Sequence, residues 1–189
     1  MKAMKLPTPS TTGGKPLMEV LAARASSREF RADALDLNTL SNLLWATAGV
    51  NRADGGRTAP TARNWQEIDV LVAAPEGIFR YNPKEHSLED FLAGDHRAAT
   101  GRQDFAAVVP VNLIFVADYA LMGDRPQEQK AWFAATDTAF MVQNAYLFCA
   151  QEGLATVIRN ALEKEPLNKL LGLPANKTVT LVQSVGYKA

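Results

Sequence analysis

The chain has 189 residues, of which 20 are basic and 20 acidic, so its formal net charge is zero. This length fits one domain, and the balanced charge gives no overall field that would attract nucleic acid or an anionic membrane. The single cysteine excludes an intramolecular disulfide, and neither it nor the two histidines stands in a metal-binding spacing, so no metal site is expected.

The start of the chain is rich in proline, threonine and glycine. This composition predicts an irregular arm over residues 1–15, either flexible or wrapped over a partner, followed by a single domain over residues 16–189. No apolar run is long enough to span a bilayer, and the opening lacks the apolar stretch of a secretory signal. We therefore expect a soluble, cytoplasmic protein with no membrane partner. A periplasmic location stays open if a signal peptide has already been removed.

Two amphipathic helices are predicted at the start of the domain. Apolar residues at helical spacing predict the first over residues 16–23, directly before Arg24. The same spacing predicts a second helix over residues 37–48, with Asp36 or Asn38 as its N-cap. Both helices precede the first strand of the domain.

Strands follow the two helices. Alternating apolar residues at 68–72 predict a strand, and a turn at 75–77 predicts a hairpin whose second strand covers residues 78–81. The charged stretch over residues 85–95 is expected to be a loop, and the two histidines, His86 within it and His96 directly after it, are expected to be solvated. Residues 111–117 predict an interior strand.

A long apolar helix is predicted from about residue 129 to residue 152. Its large apolar residues occupy more than one face, so we expect it to be buried in the core or in a subunit interface. Its polar side chains, among them Asp137, then need partners. A strand at 154–158, a short helix near residues 167–171 and a last strand at 179–185 complete an order that favours an α+β fold.

Segment 24–28 reads Arg-Ala-Ser-Ser-Arg and follows the first predicted helix. Two guanidinium groups and two hydroxyls within one short segment suit a phosphate ester, because each cation can form several charge-assisted hydrogen bonds. The alternative is a helix terminus with favourable basic charges. The residues of this segment alone do not decide between the two.

Four segments together resemble the nitroreductase family of flavoproteins. That family carries an Arg-x-Ser-x-Arg/Lys stretch after its first helix and a Pro-Ser-Ser-x-Asn-x-Gln stretch before its first strand. Segment 24–28 is similar to the first, and segment 60–66 (Pro-Thr-Ala-Arg-Asn-Trp-Gln) is similar to the second. Segments 101–105 (Gly-Arg-Gln-Asp-Phe) and 153–161 (Gly-Leu-Ala-Thr-Val-Ile-Arg-Asn-Ala) extend the resemblance in the family's order.

The resemblance implies an α+β fold with a central, mostly antiparallel sheet flanked by helices, in an intertwined homodimer with FMN at the subunit interface. It also implies an oxidoreductase that accepts hydride from NADH or NADPH and reduces nitroaromatic or quinone-like acceptors by a ping-pong mechanism. The flavin carries the chemistry, so no side chain is expected to be catalytic. Three alternatives stay open: a flavin binder or redox sensor without turnover, a flavin dehydrogenase of the same fold with another substrate, and a scaffold without a cofactor.

The same resemblance assigns the cofactor contacts. Arg24 and Ser26 would hold the phosphate, and Arg28 would reach the ribityl chain and the pyrimidine edge of the ring. Segment 60–66 would approach the same flavin from the partner subunit, while backbone groups near Arg159 would face the hydride-accepting nitrogen. The full set of expected cofactor-binding residues is Arg24, Ala25, Ser26, Arg28, Pro60, Thr61, Ala62, Asn64, Gln66, Gln103, Arg159 and Asn160.

Three features depart from the family pattern. A Thr-Ala pair in segment 60–66 replaces the usual serine pair, and Glu67 stands where many members have proline. Typical members also end in a basic segment that contacts the phosphate, which this sequence lacks. Lys188, Arg159 or the two arginines of segment 24–28 are therefore expected to carry the phosphate.

Overall fold

The computed structural model describes residues 3–189, so the first two residues of the predicted arm lie outside the described part. The strands are β1 (Ala3–Lys5), β2 (Ile68–Ala74), β3 (Gly77–Asn82), β4 (Ser87–Ala93), β5 (Val111–Asp118), β6 (Leu154–Arg159) and β7 (Lys177–Tyr187). They form one sheet in the order β1-β4-β3-β2-β5-β7-β6, and every neighbouring pair is antiparallel. The helices are α1 (Leu17–Ala23), α2 (Leu37–Ala48), α3 (Gln127–Glu152) and α4 (Lys164–Leu170). The predicted α+β class with an antiparallel sheet is confirmed.

Local signals in the sequence explain where the main helices begin and end. The Asp36 carboxylate caps α2 by accepting hydrogen bonds from the backbone N–H groups of Asn38 and Thr39, each at 3.0 Å. Helix α3 begins after Pro126, which cannot donate a backbone hydrogen bond, and ends at Gly153 with a left-handed φ of 72°. The helices predicted over residues 37–48 and near residues 129–152 are therefore confirmed.

Strand β5 lies inside the sheet, between β2 and β7, and is buried on both faces. Leu113 and Phe115 belong to the core on the side covered by α2 and α3. Ile114 and Val116 pack on the opposite side, in a smaller core with Leu167 of α4. This alternation of side chains between two cores explains why the whole strand is apolar.

Residues 85–95 contain β4, so the prediction of a loop is wrong there. The strand pairs with β3 on one side and with β1 on the other. Its alternation is weak in the sequence because Leu88 is its only fully buried apolar residue. The side chain of His86 is not solvated either: its ring lies 2.6 Å from Ser41 Oγ and 2.9 Å from the Tyr81 hydroxyl.

The start of the chain is ordered against the domain. The prediction of an irregular arm is wrong for Ala3–Lys5, which form β1 at the edge of the sheet. The arm then crosses α2, where Ser41 Oγ donates to the Pro7 carbonyl at 2.6 Å and the Ser10 N–H donates to Asn42 Oδ1 at 2.8 Å. The wrapping of the arm over a partner stays a prediction.

Large apolar side chains stay exposed on the outer sides of α1 and α3. Leu17 and Met18 on α1 are 63% and 74% exposed, and Trp132 and Phe140 on α3 are 62% and 48% exposed. Helix α3 thus packs its inner side on the sheet and leaves apolar residues open on its outer side. Within residues 3–189, none of the helices combines the length and the apolar character that a bilayer crossing requires.

Replacing Asp36 with alanine removes the N-cap of α2 and is expected to lower the free energy of unfolding by about 1 kcal/mol. Equilibrium unfolding in urea measures this loss. Glu163→Ala is the matched control, because Glu163 precedes α4 without a side-chain capping hydrogen bond. Equal stability losses in the two variants would contradict the capping role of Asp36.

Candidate functional site

Segment 24–28 lies beside β6, the edge strand of the sheet. Helix α1 ends at Arg24, after which the chain becomes extended. The Ser27 backbone N–H then donates to the Thr156 carbonyl at 2.9 Å. Ser26 and Arg28 are exposed. The segment is therefore fixed to the sheet through its backbone, while polar side chains remain open to solvent.

Tyr146, on the inner side of α3, joins segment 24–28 to β6. Its hydroxyl accepts a hydrogen bond from the Ile158 N–H at 2.9 Å and lies 2.8 Å from Ser26 Oγ. The Arg24 guanidinium lies over the Tyr146 ring, 5.5 Å from its centroid, in a cation–π contact. One buried hydroxyl thus holds two of the four segments together.

The arginines of segment 24–28 are free of acidic partners. Neither Arg24 nor Arg28 forms a salt bridge with any residue from 3 to 189. Ala25, which separates Arg24 from Ser26, is exposed. Unpaired guanidinium groups beside a hydroxyl are the donor set that binds an oxyanion such as a phosphate.

Arg159, at the end of β6, turns its side chain inward. It is 4% exposed, and its guanidinium donates to Ser184 Oγ at 3.0 Å, to the Thr100 carbonyl at 2.9 Å and to Asn112 Oδ1 at 2.7 Å. Burial lowers the pKa of Arg159 to about 10. Its side chain is therefore engaged in the interior and is not available to bind a phosphate. The expected cofactor contacts of its backbone and of the exposed Asn160 stay predictions.

Segment 101–105 packs on the same end of β6. The Arg102 N–H donates to the Ala161 carbonyl at 3.1 Å. A Cβ atom on Gly101 would collide with the Arg159 guanidinium, so only glycine fits there without displacing that side chain. The Oε1 atom of Gln103 is buried next to this glycine and accepts no hydrogen bond from residues 3–189. It is an orphaned acceptor in the middle of the candidate site.

Segment 60–66 forms a tight loop that bonds mainly to itself. Three of its residues, Arg63, Asn64 and Gln66, have left-handed backbone angles, with φ of 52°, 55° and 53°. The Gln66 N–H donates to Thr61 Oγ1 at 3.0 Å, and its side-chain amide donates to Asn64 Oδ1 at 3.1 Å. Its side-chain nitrogen is thus already used within the loop. Pro60, Thr61 and Ala62 keep some exposure, as a contact surface requires.

Asp137 of α3 fastens this loop at a distance from the other segments. Its Oδ2 atom accepts a hydrogen bond from the Ala62 N–H at 2.8 Å. Asp137 and Tyr146 are nine residues apart on one helix, which separates them by about 13 Å along the axis and by about half a turn. The structure therefore brings together segments 24–28, 101–105 and 153–161, and it leaves segment 60–66 apart within the single chain.

Sequence reasoning missed the residues that hold these segments in place. In the sequence, Tyr146 is one of many large apolar or aromatic residues of α3, and no motif indicates a hydrogen-bonding role for its hydroxyl. Asn112 and Ser184 are far apart in the chain and become neighbours only when β5 pairs with β7. Asp137 did leave a signal, because a charged residue inside an apolar helix needs a partner.

Comparison with known proteins identifies a family. A profile of the nitroreductase family matches residues 21–187 of the chain. A candidate nitroreductase of Methanocaldococcus jannaschii is 29% identical over 186 residues, which cover 91% of each of the two proteins.

Solved structures give the same relationship. A candidate nitroreductase of Ralstonia eutropha is 43% identical and superposes with a TM-score of 0.95, covering 100% of this chain and 90% of that one. The NADPH:FMN oxidoreductase of Vibrio harveyi, solved in complex with NAD+, is 20% identical with a TM-score of 0.68, covering 91% of this chain and 68% of that one. At this lower identity the likeness shows the fold alone.

Tyr146→Phe removes the hydroxyl that links Ser26 to β6 and leaves the Ile158 N–H without its acceptor. We expect the free energy of unfolding to fall by about 1–3 kcal/mol. The matched control is Tyr187→Phe, whose hydroxyl donates to the exposed Asp36 at 3.2 Å, and it should cost less than about 1 kcal/mol. Urea unfolding of both variants tests the difference. A loss no larger than that of the control would contradict the linking role of Tyr146.

Proposed function

The chain belongs to the nitroreductase family, and from that premise we propose that it is an FMN-dependent oxidoreductase. In this proposal it takes hydride from NADH or NADPH and reduces nitroaromatic or quinone-like acceptors by a ping-pong mechanism. Family membership supports the coarser function, a flavin-dependent oxidoreductase. The observation that carries the finer proposal is the pair of unpaired arginines, Arg24 and Arg28, at the place where three family segments meet.

The side chains at this place fit FMN in two respects. Arg24 and Arg28 offer cationic donors for a phosphate dianion, without a competing carboxylate in a salt bridge to either. The buried Gln103 Oε1 needs a hydrogen-bond donor that the described residues do not supply, and a flavin ring carries such an N–H group. Both the charge and the unmet acceptor therefore favour a flavin nucleotide over a neutral ligand.

Each part of the site has a distinct task in this proposal. Arg24, Ser26 and Arg28 bind the phosphate end. The Arg159 guanidinium stays inside, where its bonds to Thr100 and Asn112 hold segment 101–105 against the end of β6. When bound, FMN supplies the redox chemistry by accepting hydride and passing it to the second substrate. The protein then contributes position and electrostatics, which is why no nucleophile or general base is required.

We further propose that the working unit is a homodimer with one FMN at each of two equivalent sites between the protomers. Two observations support this arrangement. Segment 60–66 lies on the other side of α3 from segment 24–28, so both reach one flavin more readily from different protomers. Exposed apolar residues on α1 and α3, among them Leu17, Met18, Trp132 and Phe140, are available for burial against a second copy.

The double variant Arg24→Ala/Arg28→Ala is expected to weaken FMN binding more than 100-fold, because each lost charge-assisted hydrogen bond costs about 1.5–3 kcal/mol. Fluorescence quenching of FMN on titration with the purified protein measures Kd. Arg80→Ala removes an exposed arginine that pairs with Glu89 on β3 and β4, and it should leave Kd unchanged. If the wild-type protein does not quench the fluorescence of added FMN, the cofactor assignment is contradicted.

Steady-state turnover tests the reaction itself. In the absence of oxygen, the FMN-loaded protein should oxidise NADH or NADPH in a steady state only when a nitroaromatic or quinone acceptor is supplied, with parallel double-reciprocal plots. The Arg24→Ala/Arg28→Ala variant should lose this activity in proportion to its bound flavin. Bound flavin without turnover would contradict the enzyme and indicate a flavin binder or redox sensor.

A further inference from the structure

Glu67 and Asp137 form a buried pair of carboxyl groups beneath segment 60–66. Glu67 is 1% exposed and Asp137 is 3% exposed. The two side chains are within hydrogen-bonding reach of each other. No other residue from 3 to 189 donates a hydrogen bond to either oxygen of the Glu67 side chain.

Two ionised carboxylates in this position would be costly, because burial removes their hydration and their charges repel. A single proton on Glu67 removes both costs, since the acid then donates to the Asp137 carboxylate. The second Asp137 oxygen remains free to accept the Ala62 N–H, as observed at 2.8 Å. One shared proton therefore accounts for the pairing of the two carboxyl groups and for the Ala62 hydrogen bond, while the other Glu67 oxygen accepts no hydrogen bond from residues 3–189.

We propose that Glu67 is protonated in the native protein, shares its proton with Asp137, and through Asp137 positions segment 60–66. That this segment contacts FMN rests on the function proposed above, whereas the protonated pair itself does not. Both residues are positioning residues, because they act on the loop and not on the flavin.

The charged groups around the pair are consistent with a total charge of minus one on Glu67 and Asp137 together. Arg57, which precedes the loop, is the cation that faces Glu67, and its Nη1 donates to the Ile68 carbonyl at 3.1 Å. Asp137 is the anion that faces it from α3. Arg57, which also faces Asp69, can balance a single carboxylate of the pair, while a second carboxylate would add a further buried negative charge.

Burial, together with smaller effects of the charge and hydrogen bond of Asp137, raises the pKa of Glu67 to about 7, against the opposing effect of its own backbone N–H and of Arg57. A carboxyl group whose pKa is higher in the folded than in the unfolded state stabilises the fold most at low pH. This contribution is lost as the pH rises through about 7. The loop anchor should therefore weaken in mildly alkaline solution.

The loop is sensitive to its anchor because its backbone is strained. Arg63, Asn64 and Gln66 are non-glycine residues in the left-handed region, which they keep only when the surrounding structure holds them there. The bond from the Ala62 N–H to Asp137 lies at the start of this stretch. Its loss would allow the strained residues to relax and would change the surface that the loop presents.

The first test needs no flavin. The infrared spectrum of the 189-residue chain should show the carbonyl stretch of a protonated carboxylic acid near neutral pH, and this band should disappear as the pH rises. Glu67→Gln should abolish the band, and so should Asp137→Asn, whose amide can donate to an ionised Glu67. Glu76→Gln is the control, because Glu76 lies on the exposed turn at the other end of β2, and it should leave the band unchanged.

Amide hydrogen exchange of Ala62 gives a second readout in the same flavin-free protein. After correction for the intrinsic rate, protection of this N–H should fall by roughly tenfold between about pH 6 and about pH 8.5 in the wild type and stay constant in Glu67→Gln. A missing acid band, or a pH dependence of Ala62 that is equal in the wild type and Glu67→Gln, would overturn the proposal.

FMN binding then connects the pair to the proposed function. Kd of the wild type should rise by roughly tenfold over the same pH range, and Glu67→Gln should keep the low-pH affinity throughout. An equal rise of Kd in both proteins would overturn the positioning role. An acid band in a protein that binds no FMN at any pH would support the protonated pair and contradict the proposed function instead.

Discussion

Two polar residues of helix α3, Tyr146 and Asp137, are buried on opposite sides of the helix. The candidate site depends on the hydrogen bonds that these two side chains form. On one side the Tyr146 hydroxyl accepts the Ile158 N–H and meets Ser26. On the other side Asp137 accepts the Ala62 N–H. Because a buried polar group without a partner is costly, the helix fixes both segments. Their positions follow from the same helix that forms the core.

This placement also determines how a flavin could be held. Segments 24–28, 101–105 and 153–161 meet around the end of β6, while segment 60–66 is fastened about two and a half turns away on α3. One chain thus supplies the cationic part of a site at segment 24–28. The same chain supplies the partly exposed loop of segment 60–66 at a different place. In the twofold dimer proposed above, the two kinds of surface would meet twice, because each protomer offers both. Glu67, which directly follows that loop, belongs to the anchor proposed for it.

The sequence alone predicts features that are determined by residues close together in the chain. The cap of α2 at Asp36, the end of α3 at Gly153 and the apolar run of β5 each follow from a local rule and are confirmed. Strand β4 and the hydrogen bonds of His86 were missed, because charged residues hide the strand and the partners of His86 come from α2 and β3. The inward turn of Arg159 was also missed, since its acceptors Thr100, Asn112 and Ser184 are assembled only by the folded sheet.

The central claim is that each flavin is held by both protomers, and mixed dimers test it most directly. One parent carries Arg24→Ala/Arg28→Ala, and the other carries Asn64→Ala/Gln66→Ala, so that neither homodimer has a complete site. Refolding the two together in equal amounts should restore FMN binding at roughly a quarter of all sites, because half of the dimers are mixed and each has one intact site. A mixture that binds no more FMN than its parents would contradict the claim and place the whole flavin site within one chain.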